Sequence, residues 1–266
     1  MSSKSSNSGS GQVYLVVRTR SILACILHWT LFLSILTLIT TGLYIANPSY
    51  YFGQGEAYQA FAMANMRKIH FIAATFMIVV IFSRMYLAFT NSCNRDIKQF
   101  LPTPWNILNA LRLAKYYAFG LGKHAHYRFI NPLGGIVVFL MSICMLVQVV
   151  TGFLLYLPAA HPDSIWWSIG SSIDIALGGQ QNVRLIHHLA LFILASIILI
   201  HIYMQVWKNS VFTESDISSI IAGYKIFPVS QIGHFADHYG YKLDEEAPSK
   251  KEMDKVSTPM EEKAEI

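Results

Sequence analysis

Charge is what this sequence has least of. Only 13% of its 266 residues are Asp, Glu, Lys or Arg, against about 25% in an ordinary soluble domain. The deficit is uneven. Residues 21–207 hold nearly all the long apolar runs, and residues 208–266 hold most of the acids. Hydrophobic residues make up 53% of the whole, so the composition describes a membrane domain followed by a polar tail. Cysteine is also scarce. Cys25, Cys93 and Cys144 are scattered, with no CxxC or CxxCH spacing. That argues against a zinc site, an iron–sulfur cluster, covalently attached c-type haem or a disulfide framework. Cys25 and Cys144 fall within apolar runs and read as helix-packing residues.

Four runs reach the roughly 20 apolar residues needed to cross a bilayer as a helix. They lie at about 21–46, 66–89, 132–157 and 184–207. None contains Asp or Glu. The first follows Arg18 and Arg20, is too long for a signal-peptide core and lacks a small-residue cleavage site, so it is expected to be a retained helix. The third opens on Asn131-Pro132, an N-cap followed by the first helical position. Residues 1–20 form a polar N-terminal segment, Ser/Gly-rich at its start. Residues 90–131 form a loop. Residues 208–266 form a tail whose last part, from about Lys242, is expected to stay disordered.

Lys and Arg set the expected orientation. Lys4, Arg18 and Arg20 precede the first span. Arg95, Lys98, Arg112, Lys115, Lys123 and Arg128 lie between the second and third, whereas the other connections carry only Arg67, Lys68 and Arg184. The fold expected is therefore all-α, an integral membrane four-helix bundle with both termini cytoplasmic. Within the middle loop, Leu108, Leu111 and Ala114 recur near helical spacing after Thr103-Pro104. This fits a short helix on the inner membrane surface or an ordinary connector. Trp166 and Trp167 fit interface anchors on the outside.

Histidine is what the spans do contain. His28, His70, His187, His188 and His201 fall within them, and ionisable groups inside a bilayer are usually functional. His28 and His201 lie near the inner ends of helices one and four. His70 and His187 lie near the outer starts of helices two and four. Two pairs at two depths result. His187 and His201 are 14 residues apart, which returns to within about 40° of one helix face after a rise of about 21 Å. His188 points about 140° away from His201 and is the weaker candidate. Two facing imidazoles at each depth can hold a planar macrocycle by both axial positions. A bis-histidine haem has no open position, so its chemistry is electron transfer. A proton relay would call for intramembrane acids, and a zinc site for convergence at one depth.

Arg84, near the inner end of helix two, suits a haem propionate or snorkelling to the interface. Arg67, Lys68 and Arg184 suit outer propionates or flank charge. Thr41-Gly42 and Thr151-Gly152 allow close approach of a macrocycle or of neighbouring helices.

These residues resemble the cytochrome b subunit of membrane-bound, uptake-type nickel–iron hydrogenases, from about Arg18 to Lys225. Helix one reads HWTLFLSILTLITTGLYIANP from His28. Helix two carries RKIHF and RMYLAF around His70 and Arg84. Helix three has NP and TG in place, and helix four reads IHHLALFILASIILIHIYM. The tail segment SDISSIIAGYK, from Ser215 to Lys225, is similar to an element of that family that is neither span nor ligand.

The resemblance implies two haem b groups per chain, with His70 and His187 ligating the outer haem and His28 and His201 the inner. It implies nickel–iron hydrogenase small and large subunits as partners, on the outer face of the cell inner membrane. Quinone is the implied electron acceptor, with Asn131 placed to contact it or serving only as an N-cap. The chain itself would not split hydrogen, having no cysteine set for a nickel–iron centre. It would be the electron-transfer subunit of a hydrogen:quinone oxidoreductase, a complex in contact with the lipid bilayer and not with nucleic acid. The related subunit of formate dehydrogenases shares the four-helix plan, so a formate dehydrogenase-like complex remains an alternative, as does a haem-free structural anchor. His188 is a departure, since some relatives carry arginine there.

Overall fold

The computed structural model describes residues 14–48, 61–90, 100–120, 130–157, 161–211 and 216–228. The N-terminal residues 1–13, the charges Arg95, Lys98, Lys123 and Arg128, Cys93 and the tail beyond residue 228 lie outside the described residues. A strand β1 (Tyr14–Arg18) leads into α1 (Ile22–Ala46), followed by α2 (Ala62–Thr90) and α3 (Pro104–Phe119). Then come α4 (Pro132–Tyr156), α5 (Ile165–Ala176), α6 (Gln180–Val211), a short α7 (Asp216–Ile221) and a strand β2 (Tyr224–Pro228).

Four of these helices, α1, α2, α4 and α6, are long and apolar enough to cross a membrane, and they form an all-α membrane bundle. Much of their apolar surface faces outward, as at Phe82, Leu146, Leu185 and Leu199. A water-soluble fold would bury such side chains, whereas lipid is as apolar as leucine. Both α2 and α6 run about a turn beyond the limits expected at each start. The polar residues there, such as Asn65 and Gln180, are compatible with a helix even where they end the apolar run.

Local chemistry sets several helix starts. Ser21 Oγ accepts from Ala24 N at 3.2 Å, Thr103 Oγ1 from Asn106 N at 3.2 Å, Asn131 Oδ1 from Gly134 N at 2.6 Å and Ser164 Oγ from Trp167 N at 3.1 Å. Each satisfies an amide that the first turn leaves without a partner. Proline follows at the first turn of both α3 and α4.

The bundle is two layers of two helices. Close backbone approaches run along α1 with α2 and along α4 with α6, and are sparse between the two pairs. At mid-height the layers are joined by side chains, with Ile35, Met77, Met145 and Leu194 contributed by one helix each. The α3 helix packs along α4, burying Asn106, Ala110 and Leu113 and leaving Leu108 and Leu111 exposed on the opposite face. Its Tyr117 ring meets Trp207 of α6 edge-on at 5.5 Å.

Two features were not anticipated. The α5 helix turns the connection between α4 and α6 into structure: its Trp166 stacks on Phe153 of α4 at 5.9 Å, and Gly170 lies against Leu157. At the other end, β1 and β2 pair antiparallel, with Tyr14 opposite Pro228 and Arg18 opposite Tyr224. The strand pairing brings the segment before α1 and the segment after α6 to the same end of the bundle.

Candidate functional site

Four of the span histidines, His28, His70, His187 and His201, come together in pairs across the seam between the two helix layers, at sequence positions on either side of the apolar mid-height cluster. Leu194 is seven residues from both His187 and His201 on α6, so the spacing His187, Leu194, His201, Lys208 follows one stripe of the helix. Met77 likewise separates His70 from Arg84 on α2. The apolar cluster therefore divides the seam into two histidine levels.

At the level of His70 and His187, two imidazoles are held in matching ways. Thr41 of α1 lies 2.9 Å from Nδ1 of His70 on α2. Thr151 of α4 lies 2.8 Å from Nδ1 of His187 on α6. Both threonines are buried. Each is followed by a glycine against the same ring. A Cβ on Gly42 would stand 3.3 Å from His70 Cε1, and one on Gly152 would stand 3.6 Å from His187 Cε1. Gln148 adds a further tie by donating to the backbone carbonyl of His187 at 2.8 Å. His70 and His187 lie within electrostatic reach of each other. The Thr-Gly pairs were legible as points of close approach, but their histidine partners were not, because helix pairing had to be known first.

At the other level, His28 of α1 and His201 of α6 are again within electrostatic reach. Here the anchoring differs. His28 Nδ1 is buried and meets no hydrogen-bond partner among the described residues. The Trp29 ring stands edge-on to His28 at 5.8 Å.

The remaining expected site residues fall around these two levels. Arg84 lies over the Phe100 ring at 5.8 Å from its centroid. Arg67, Lys68 and Arg184 are exposed at the end of the bundle that carries His70 and His187. Asn131 uses its side-chain oxygen to cap α4. The His188 ring lies 6.3 Å from that of His187, tilted by 56°, while Thr151 meets His187. Lys208, buried one step beyond His201 on the α6 stripe, was not singled out from the sequence, because a lysine near a span end reads as flank charge.

Among the described residues, no three His, Cys, Asp or Glu side chains converge to hold an ion. The histidines come in pairs instead. A pair of imidazoles fits an iron whose other four ligands come from a planar macrocycle. The glycines beside His70 and His187 leave room for the edges of these two imidazoles, which fits rings held as ligands.

A family model described as prokaryotic cytochrome b561 matches residues 19–223. Among curated proteins, the chain is 32% identical over 207 residues to a probable Ni/Fe-hydrogenase B-type cytochrome subunit of Rhizobium leguminosarum bv. viciae, covering 75% of this chain and 84% of that one. It is 26% identical to the protein of the same description in Cupriavidus necator, covering 75% and 83%. It is 25% identical over 228 residues to the probable Ni/Fe-hydrogenase 1 B-type cytochrome subunit of Escherichia coli K12, covering 78% and 89%.

Proposed function

Because this chain belongs to the prokaryotic cytochrome b561 family, we propose that it is the di-haem b-type cytochrome of a nickel–iron hydrogenase complex. It anchors the complex in the cell inner membrane and conveys electrons from the iron–sulfur small subunit to quinone. The observation that carries this reading is the two-level arrangement of histidine pairs in the seam between helix layers. The printed descriptions of the relatives support the hydrogenase as partner.

His70 and His187 hold the outer haem, and His28 and His201 the inner. Bound haem b supplies a one-electron couple, and two imidazole ligands leave it closed to oxygen. The protein's own part is to hold the imidazoles in place and to keep water out of the mid-height layer. Arg84 neutralises an inner propionate, and Arg67 and Arg184 serve the outer ones. Asn131, whose oxygen caps α4, keeps its amide N–H group for a quinone carbonyl.

Both termini face the cytoplasm. The excess of Lys and Arg before α1 and between α2 and α4 supports this. So does the pairing of β1 with β2, which requires the two ends to share a side. The hydrogenase large and small subunits then sit on the periplasmic face, next to His70 and His187.

Haem content tests the proposal. Protein purified in detergent should give two b haems per chain in a pyridine haemochrome assay. A folded protein with none would turn the reading toward a structural anchor. Co-purification of a molybdenum-containing subunit in place of the hydrogenase would overturn the partner.

A further inference from the structure

The hydroxyls of Thr41 and Thr151 each have one proton to give, and its destination is legible. Thr41 Oγ1 is 2.6 Å from the carbonyl oxygen of Thr37. Thr151 Oγ1 is 2.6 Å from the carbonyl oxygen of Val147. Two oxygens approach that closely only with a hydrogen between them. The hydroxyl proton is therefore committed to the helix carbonyl one turn back, and toward the histidine the oxygen can only accept. The proton in the Thr–His contact must come from the imidazole. His70 and His187 are thereby the tautomer protonated at Nδ1, with the lone pair on Nε2 free.

We propose that Thr41 and Thr151 are positioning residues that set the tautomer and the basicity of both outer haem ligands, so that each binds iron through Nε2. This rests on the proposed function above. A ligand histidine that donates its other N–H to an acceptor is oriented and made a stronger donor to the metal. A stronger donor favours ferric over ferrous iron, so the two hydroxyls hold the outer haem's potential down. At the other level, His28 Nδ1 has no such acceptor among the described residues, so the two hydroxyls act on the level of His70 and His187. The following glycines complete the device, since a side chain at Gly42 or Gly152 would crowd the Cε1 edge of the ring that the threonine holds.

The test uses the full chain in membranes or with its partner subunits, and reads potentials rather than activity. Redox titration of the α-band resolves the two haems in wild type and in Thr41→Val, Thr151→Val, Thr41→Ser and Thr151→Ser. Valine keeps the shape of threonine and removes the hydroxyl; serine keeps the hydroxyl. Each valine variant should raise the outer haem's potential, by up to tenfold in the oxidised-to-reduced ratio at fixed potential, about 59 mV for one electron. The inner haem should not move, and both serine variants should behave as wild type. Selective loss of the outer haem from a valine variant, with retention in the serine variant, supports the same assignment. Unchanged potentials in valine variants that keep both haems would overturn it. So would serine variants that behave like valine, which would place the effect in the methyl group. Wild-type protein without haem would remove the proposed function itself, an outcome distinct from either of these.

Discussion

Trp29 donates its indole N–H to the backbone carbonyl of Ile220 at 3.1 Å, across 191 residues of sequence. The same ring stands edge-on to His28. One side chain therefore ties the level of His28 and His201 to the segment that follows the last span. Around it, Thr19 N and Arg20 N both donate to the carbonyl of Gly223, and Cys25 Sγ lies 3.5 Å from the carbonyl of Ser219.

Replacing Trp29 with Phe keeps an aromatic ring and removes the donor. The loss of one such hydrogen bond costs about 1 kcal/mol. The expected result is faster cleavage within residues 216–228 by an added protease, with both haems retained. Equal cleavage rates in variant and wild type would mean that the strand pair and the contacts of Thr19, Arg20 and Cys25 hold this segment without the Trp29 bond.

Gly223 has a φ of +84°, and a Cβ there would lie 2.6 Å from the backbone oxygen of Arg20. Gly223→Ala thus meets both an unfavourable backbone region and a fixed carbonyl. The left-handed conformation alone costs roughly 1–2 kcal/mol, and the contact adds to it. A lower thermal unfolding midpoint in detergent is expected. Ala at Gly120, which has a φ of +66° but nothing within 4 Å, should cost less.

His70→Ala and His187→Ala should each remove the outer haem and stop hydrogen-dependent quinone reduction. Dye-linked hydrogen oxidation by the partner subunits should persist. His188→Ala should keep both haems. Haem stoichiometry and the two activities, measured on the same membranes, check all three, and loss of a haem from the His188 variant would shift the ligand by one residue.

Gly42→Val should be more harmful than Gly42→Ala. The first added carbon already comes within 3.3 Å of His70 Cε1, and the two further methyl groups leave the ring no room to stay against Thr41. The valine variant should lose outer haem in the α-band spectrum while the inner haem remains.

The spans were legible because lipid imposes a simple rule: about 20 apolar residues must run without interruption, and four runs do. The two histidine levels were legible because 14 residues is nearly a whole number of helical turns. What escaped depends on contacts that no local pattern announces. Each strand has five residues, too few for a convincing alternation, and its partner lies about 200 residues away. The α5 helix escaped because Ser168, Ser171 and Ser172 interrupt the stripe of Ile165, Ile169 and Ile173. Its dependence on stacking between Trp166 and Phe153 is a tertiary fact. Thr41 and Thr151 could be seen to precede glycines, but a helix sequence does not say which neighbouring imidazole its hydroxyl will meet.

The pairing of β1 with β2 also bears on how the chain is made. β1 leaves the ribosome before the first span, and β2 only after the fourth. The register from Tyr14 opposite Pro228 to Arg18 opposite Tyr224 cannot form until every membrane segment has been synthesised. Closing so long a loop in an unfolded chain would be slow. Once α1 and α6 have inserted with their ends on one side, however, the strands are already neighbours and the closure becomes local. A nascent chain with one of the four spans left out of the bilayer would cross it three times and leave β1 and β2 on opposite sides, with their backbone groups unpaired. The small sheet thus acts as a latch that closes only after an even number of crossings.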